Sequence, residues 1–210
     1  MFRTILLVLI SVSVGHSQMR FGIKTSIGIL PTGPETNFAA NVNNTPADFK
    51  ITYDSADPIY GIGVFVQDEI GWLYFQSDLL FTSYHTEFTV TAFNQTDDLI
   101  GKVVEEWKYL DWQVLAGIYK KNYRFGVGPV VHILVDQESN FDEFALYNEK
   151  LRRLAYGMSA AVGYNFGLFT LDIKYERSFR TIGDHIWYDE FKSTFEGTPD
   201  ILSFAVGFGF

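Results

Sequence analysis

The sequence predicts an all-β protein: an eight-stranded antiparallel up-and-down transmembrane β-barrel with short periplasmic turns and long extracellular loops. Three observations predict it. Bulky apolar residues alternate with small or polar ones, period two, in segments of about ten residues. The connections between segments are short and long in turn. Aromatic residues make up 17% of the 210, with 20 Phe, 12 Tyr and 4 Trp, more than one water-soluble core of this size needs, whereas a barrel uses such rings at both membrane interfaces.

Arg3, the aliphatic run Ile5 to Ile10 with Val12 and Val14, and Gly15-His16-Ser17 form the charged, apolar and small-residue regions of a signal peptide over residues 1–17. Residues 18–210 are then a single outer-membrane β-barrel domain, exported through that leader. No later stretch approaches the ~18–20 consecutive apolar residues of a membrane helix.

The first strand sets Phe21, Ile23, Thr25, Ile27 and Ile29 against Gly22, Lys24, Ser26 and Gly28, and the second Tyr60, Ile62, Val64 and Val66 against Gly61, Gly63, Phe65 and Gln67. The third sets Leu73, Phe75, Leu79 and Phe81 against Tyr74, Gln76, Asp78, Thr82 and Tyr84. The fourth opposes Leu110, Trp112, Val114, Ala116 and Ile118 to Asp111, Gln113, Gly117 and Tyr119, and the fifth Phe125, Val127, Pro129, Val131 and Ile133 to Arg124, Gly126, Gly128 and His132. In the sixth Tyr156, Met158, Ala160, Val162 and Tyr164 alternate with Gly157, Ser159, Ala161 and Gly163. Phe169, Leu171, Ile173 and Tyr175 alternate with Thr170, Asp172, Lys174 and Glu176 in the seventh. Leu202, Phe204, Val206, Phe208 and Phe210 alternate with Ser203, Ala205, Gly207 and Gly209 in the last.

The second face, rich in Gly, Ser, Ala and Tyr with a few charges, is a poor solvent face but a good interior for a narrow barrel. The bulky face then meets lipid. Tight turns are expected near 68–71, 120–122 and 165–167, and long loops over 31–57, 85–106, 135–150 and 181–199. Pro31, Pro34, Pro46 and Pro58 fall in or beside the first loop; Pro129, mid-strand, lacks a ladder donor and predicts a local bulge.

Six inward charges lie at mid-depth: Lys24, Asp78, Asp111, Asp172, Lys174 and Glu176. An eight-strand lumen is just wide enough to be filled by side chains, and unpaired ions there cost several kcal/mol. They are expected to pair as a polar plug. Arg20, Arg124, Arg153 and Arg180 are placed toward the rims, able to join that network or to bind lipid headgroups. The terminal alternation ending in Phe208 and Phe210 is the pattern expected of an assembly signal, read by strand pairing with the barrel-assembly machinery.

Other chemistries are excluded or unsupported. There is no cysteine to form a disulfide or ligate zinc or iron–sulfur. A net charge of −9 opposes nucleic-acid binding, which needs clustered Lys and Arg. No calcium-loop spacing is present, so no metal and no cofactor are assigned. His85, His132 and His185 fall in no spacing that demands catalysis, so no catalytic residue is named. The acidic loops suit an anionic surface or a basic or cation-bridged partner. Asp54-Ser55-Ala56 fits a short O-glycosylation acceptor pattern.

Phe75-Gln76-Ser77-Asp78-Leu79-Leu80-Phe81, Tyr109-Leu110-Asp111-Trp112-Gln113-Val114-Leu115, Gly128-Pro129-Val130-Val131, Gly157 through Gly163, Leu171-Asp172-Ile173-Lys174-Tyr175 and Phe208-Gly209-Phe210 together resemble the PorT-like small outer-membrane β-barrel proteins of Bacteroidota, the family labelled "outer membrane protein beta-barrel domain". Gln113 stands where that family usually has Pro, and Asp78 and Asp111 where it usually has Glu. The resemblance implies an outer-membrane, eight-stranded barrel, with some relatives serving gliding and secretion machinery. The expected role is structural or interactive, as an accessory subunit of a larger envelope or secretion complex, with outer-membrane lipid and other complex proteins as partners. The alternatives are a small solute pore and an enzyme acting at the extracellular rim.

Overall fold

The computed structural model describes residues 19–31, 36–42, 45–94, 96–139, 147–151, 153–179, 183–188, 191–193 and 200–210. Residues 1–17, read as a signal peptide, lie outside these, as do Pro34 and Arg180. Every element among the described residues is a strand: β1 (Arg20–Ile29), β2 (Thr36–Val42), β3 (Thr45–Ala56), β4 (Ile59–Ile70), β5 (Leu73–Asn94), β6 (Thr96–Lys120), β7 (Tyr123–Ser139), β8 (Tyr147–Leu151), β9 (Leu154–Phe166), β10 (Phe169–Ser178), β11 (Gly183–Tyr188), β12 (Phe191–Ser193) and β13 (Asp200–Gly209).

Eight of these close into a barrel in the order β5-β4-β1-β13-β10-β9-β7-β6, with β6 returning to β5. All pairs are antiparallel. The first and last strands meet in continuous register, from Gly22 opposite Gly209 to Ile29 opposite Leu202. Closure leaves no barrel edge to pair with another chain.

Tight turns join the barrel strands at one end. Gly71 and Gly167 take φ of 65° and 59°, a conformation open to glycine, and Lys121 and Asn122 take 50° and 73°. Two successive left-handed residues match the twist of a hairpin.

The other end differs from the long loops expected. Residues 85–94 and 96–106 continue as strand, so the β5–β6 hairpin runs from Leu73 opposite Ile118 to Asn94 opposite Thr96, with one shift of register between Val90 and Thr91. Within 31–57, β2 and β3 form a second hairpin, and β3 adds to the far half of β5, Asp48 opposite Phe93 through Ala56 opposite Thr86. Pro46 therefore sits in a strand, near the start of β3. The 135–150 stretch holds the end of β7 and part of β8. β8, β11 and β12 make a separate three-stranded sheet. Thr86, Thr89, Val90 and Thr91 supply the β-branched residues that suit such an extension.

The bulge predicted at Pro129 is absent. Gln113 opposite Val130 and Ala116 opposite Val127 share one register, and the β6–β7 pairing is simply interrupted between them. On its other side Pro129 stays paired with Met158 of β9. The missing donor costs ladder contacts without inserting a residue.

Burial runs opposite to that of a soluble barrel. Outward Ile23, Ile62, Val127 and Ile173 are 57–67% exposed, while inward Lys24, Asp78, Arg124 and Asp172 are at most 2% exposed. All eight predicted faces match this pattern, because a period-two strand offers each wall position only two directions.

Candidate functional site: the ion network of the lumen

The inward residues of β1, β5 and β10 meet near mid-barrel. Lys24 Nζ donates to Asp78 at 2.9 and 3.0 Å and to Asp172 at 2.9 Å. Lys174 Nζ donates to Asp78 and, at 2.7 Å, to Gln113 Oε1. Arg124 of β7 donates to Asp172 Oδ1 at 2.8 Å, to Gln67 at 2.7 Å and to Gln76. Gln76 in turn donates to Asp78. Lys24 also lies 4.9 Å from the centre of the Phe65 ring, and the Arg124 guanidinium 5.9 Å from that of Tyr74, so cation–π contacts back the ion pairs.

Each carboxylate here has two cationic partners: Asp78 has Lys24 and Lys174, and Asp172 has Lys24 and Arg124. That is what a buried ion requires, since a charge out of water is tolerated only when paired and hydrogen-bonded. A glycine makes room for it. A Cβ at Gly163 would run into Asp172 Oδ1 and the Arg124 guanidinium, so the wall comes close to the pair at that point.

Asp111 and Glu176 belong to a second cluster, farther from the tight turns. His132 Nδ1 lies 2.7 Å from Asp111 Oδ1, and Thr82 Oγ1 donates to Asp111 Oδ2 at 2.7 Å. His132 Nε2 lies 2.6 Å from Glu176 Oε1, an ion-pair contact rather than an aligned hydrogen bond. A neutral imidazole has a single N–H, so a ring facing a carboxylate on each side carries both protons. Above it Tyr84, Tyr109 and Trp107 stack at 6.1 Å spacings, with Leu30 and Ile59 alongside.

Thus the six charges expected as one plug form two layers: Lys24, Asp78, Asp172 and Lys174 in one, Asp111 and Glu176 in the other. Two further inward residues of the fifth strand complete the layers. Arg124, expected toward the rim and able either to join the network or to bind lipid headgroups, joins it: its long side chain reaches mid-lumen and is 1% exposed. His132, expected inward near the loop side with no partner assigned, takes two carboxylates. The signal that finds both is charge balance: four inward carboxylates against two lysines leave two negative charges over.

Phe210 packs edge-on to Phe21 at 5.1 Å, and Phe208 packs against Phe169 at 5.4 Å. Both rings face outward, 66% and 39% exposed. His85 Nδ1 lies 3.4 Å from Asp57 Oδ2 and its Nε2 3.8 Å from Glu106 Oε2, away from the lumen network. Asp54-Ser55-Ala56 lies at the end of β3, where Thr89 donates to Asp54. No group of His, Asp and Glu among the described residues is arranged to hold a metal ion.

No family model and no curated protein matches this sequence. Among solved structures it is similar to the outer membrane protein OprG from Pseudomonas aeruginosa, at 12% identity and a TM-score of 0.58, over 91% of this chain and 95% of that one. The fold is that of a small outer-membrane β-barrel. The NanC porin also aligns, at 11% identity and a TM-score of 0.32 over 89% of this chain and 98% of that one. The barrel likeness to OprG concerns the fold alone.

Proposed function

We propose that the protein is a closed barrel of the outer membrane with a structural or interaction role, an accessory subunit of a larger envelope or secretion complex related to the PorT-like group. The observation that carries this is the mid-lumen cluster of Lys24, Asp78, Asp172, Lys174 and Arg124, which links β1, β5, β7 and β10 and in which Lys174 reaches Asp78 on the opposite wall. A solute path would have to break several charge-assisted bonds at once.

What remains for function is surface. The β5–β6 hairpin outruns the ten-residue strands β1, β10 and β13 by about a dozen residues, roughly 40 Å along the strand at ~3.3 Å per residue. With the tight turns facing the periplasm, this extension stands on the extracellular side. It is acidic: Lys108 is shared by Glu106, Asp136 and Glu138, and Lys102 by Asp54 and Glu87. A non-enzymatic role is supported by His132, whose two ring nitrogens both face carboxylates and leave none to act as a base.

Planar-bilayer recording of refolded protein tests the closed lumen; no current steps are expected. Stable unitary conductance would replace this reading with the pore. Purification from native membranes in mild detergent tests the accessory role, with stoichiometric co-elution of other envelope proteins expected.

A further inference from the structure

The two charge layers differ in how they are held. In the lower layer every carboxylate has two lysine or arginine partners. The upper layer depends on a single ring: the groups facing His132 are Asp111 and Tyr109 on β6, Glu176 on β10 and, on β5, Tyr84 and the hydroxyl of Thr82. β4, β9 and β13 bring Ile59, Ala155 and Ile201, β1 brings Ser26, and Leu30 follows directly after that strand, none of them titratable. Lys174 and Asp78 are the nearest charges below, and they are bonded to one another.

Two cavities meet at the ring. One, of about 30 Å³, lies under Tyr84, Tyr109 and Leu30. The other, of about 50 Å³, lies between the two layers and is lined by Ser26, Gln113, Lys174 and Ser203. Both share Thr82, Asp111 and His132 as walls. By volume the pair has room for about five to eight water molecules, at the ~10–15 Å³ each needs.

We infer that His132 is a pH-operated latch over a blind extracellular vestibule: its imidazolium ties Asp111 to Glu176 and shuts the upper lumen, and loss of one proton frees one of the two carboxylates, breaks the tie between them and lets water reach the Lys24–Asp78–Lys174 layer but not pass it. This rests on the closed-lumen reading above. The sign follows from the geometry. Once the ring is neutral it offers one N–H to two carboxylates, so one carboxylate faces a lone pair. That carboxylate must be hydrated or expelled. Raising pH therefore opens the latch. Within the two layers the charge sum agrees: Asp78, Asp111, Asp172 and Glu176 balance Lys24, Lys174, Arg124 and a protonated His132, and deprotonation leaves these layers one negative charge in excess.

The chain has no cysteine, so a single Ser203→Cys thiol in the inter-layer cavity reports access without background. Refolded Ser203→Cys protein is labelled with a small neutral methanethiosulfonate from pH 5 to pH 10. Each rate is divided by that of Ser203→Cys/His132→Arg, whose permanent charge holds the tie; the ratio cancels the thiol's own ionisation. The ratio is expected to rise with pH by up to about tenfold per unit, the signature of one proton per opening. A ratio flat across the range overturns the latch. Should the Arg variant not fold, Ser203→Cys/Asp111→Asn/Glu176→Gln replaces it. With no anions to tie it labels fast throughout, so the ratio of Ser203→Cys to it should climb from well below one toward one; a ratio near one at low pH overturns the proposal. Conductance is recorded alongside. Current appearing at high pH overturns the blind floor, and with it the closed-lumen reading, independently of the labelling result.

Discussion

At the scale of single residues, the lumen follows a rule of paired charge. Sequence alternation placed Lys24, Asp78, Asp111, Asp172, Lys174 and Glu176 inward, and all six point inward. It could not say which would touch, because contact across a barrel depends on strand tilt and stagger, which no local pattern encodes. The structure adds Arg124 and His132 as the missing cations. The resulting arrangement makes an asymmetric prediction. Lys174→Met leaves Asp78 paired with Lys24, so the loss should be modest. Asp78→Asn leaves Lys174 with only Gln113 for company and should cost on the order of 3 kcal/mol, as for a broken buried pair. In the double variant no ammonium is stranded, so stability should recover toward that of Lys174→Met. Urea unfolding in micelles measures all three. Equal losses for the two single variants would show that the lumen is wet enough to screen an orphaned charge.

At the scale of elements, eight strands were legible because each has one face toward apolar surroundings and one toward a packed lumen, which fixes its period. The hairpin extensions were not. Beyond the apolar belt the outer face of β5–β6 meets no hydrophobic phase, so residues such as Glu87, Thr89 and Lys102 carry no alternation to read, although Thr86, Phe88 and Glu105 still turn inward. Those segments are held by ladder hydrogen bonds and by contacts such as Trp107 Nε1 to Thr86 Oγ1 at 2.9 Å. β13 has a special place among the elements, since it is the strand that closes the ring between β10 and β1. Phe210 is clamped there, its N–H donating to Phe21 O at 2.9 Å while its ring packs on Phe21. Phe210→Asp would set a charge on the outward face of the closing seam. Lower outer-membrane levels and protease-sensitive chain in the periplasm are expected in cells expressing it. Wild-type levels of folded barrel would remove Phe210 from any assembly role.

At the scale of the whole molecule, an outer wall of exposed Ile, Val, Leu and Phe around a charged interior is stable only with a hydrophobic phase outside. In water the same wall would be an apolar surface far larger than soluble monomers carry. In detergent or lipid it is covered, and the ring of eight strands has no edge at which to begin unzipping. Unfolding must then break a whole ladder and the lumen network together, so the folded state should resist a detergent that unfolds open sheets. The protein should therefore remain with the outer-membrane fraction after an alkaline wash. On a gel in mild detergent it should also run as two forms, a compact one without heating and an extended one after boiling. The transition temperature should fall in Asp78→Asn, because the network is part of what must break. A single mobility with and without boiling, or recovery in the soluble periplasmic fraction, would contradict a lipid-facing wall and leave a soluble barrel as the only way to use these strands.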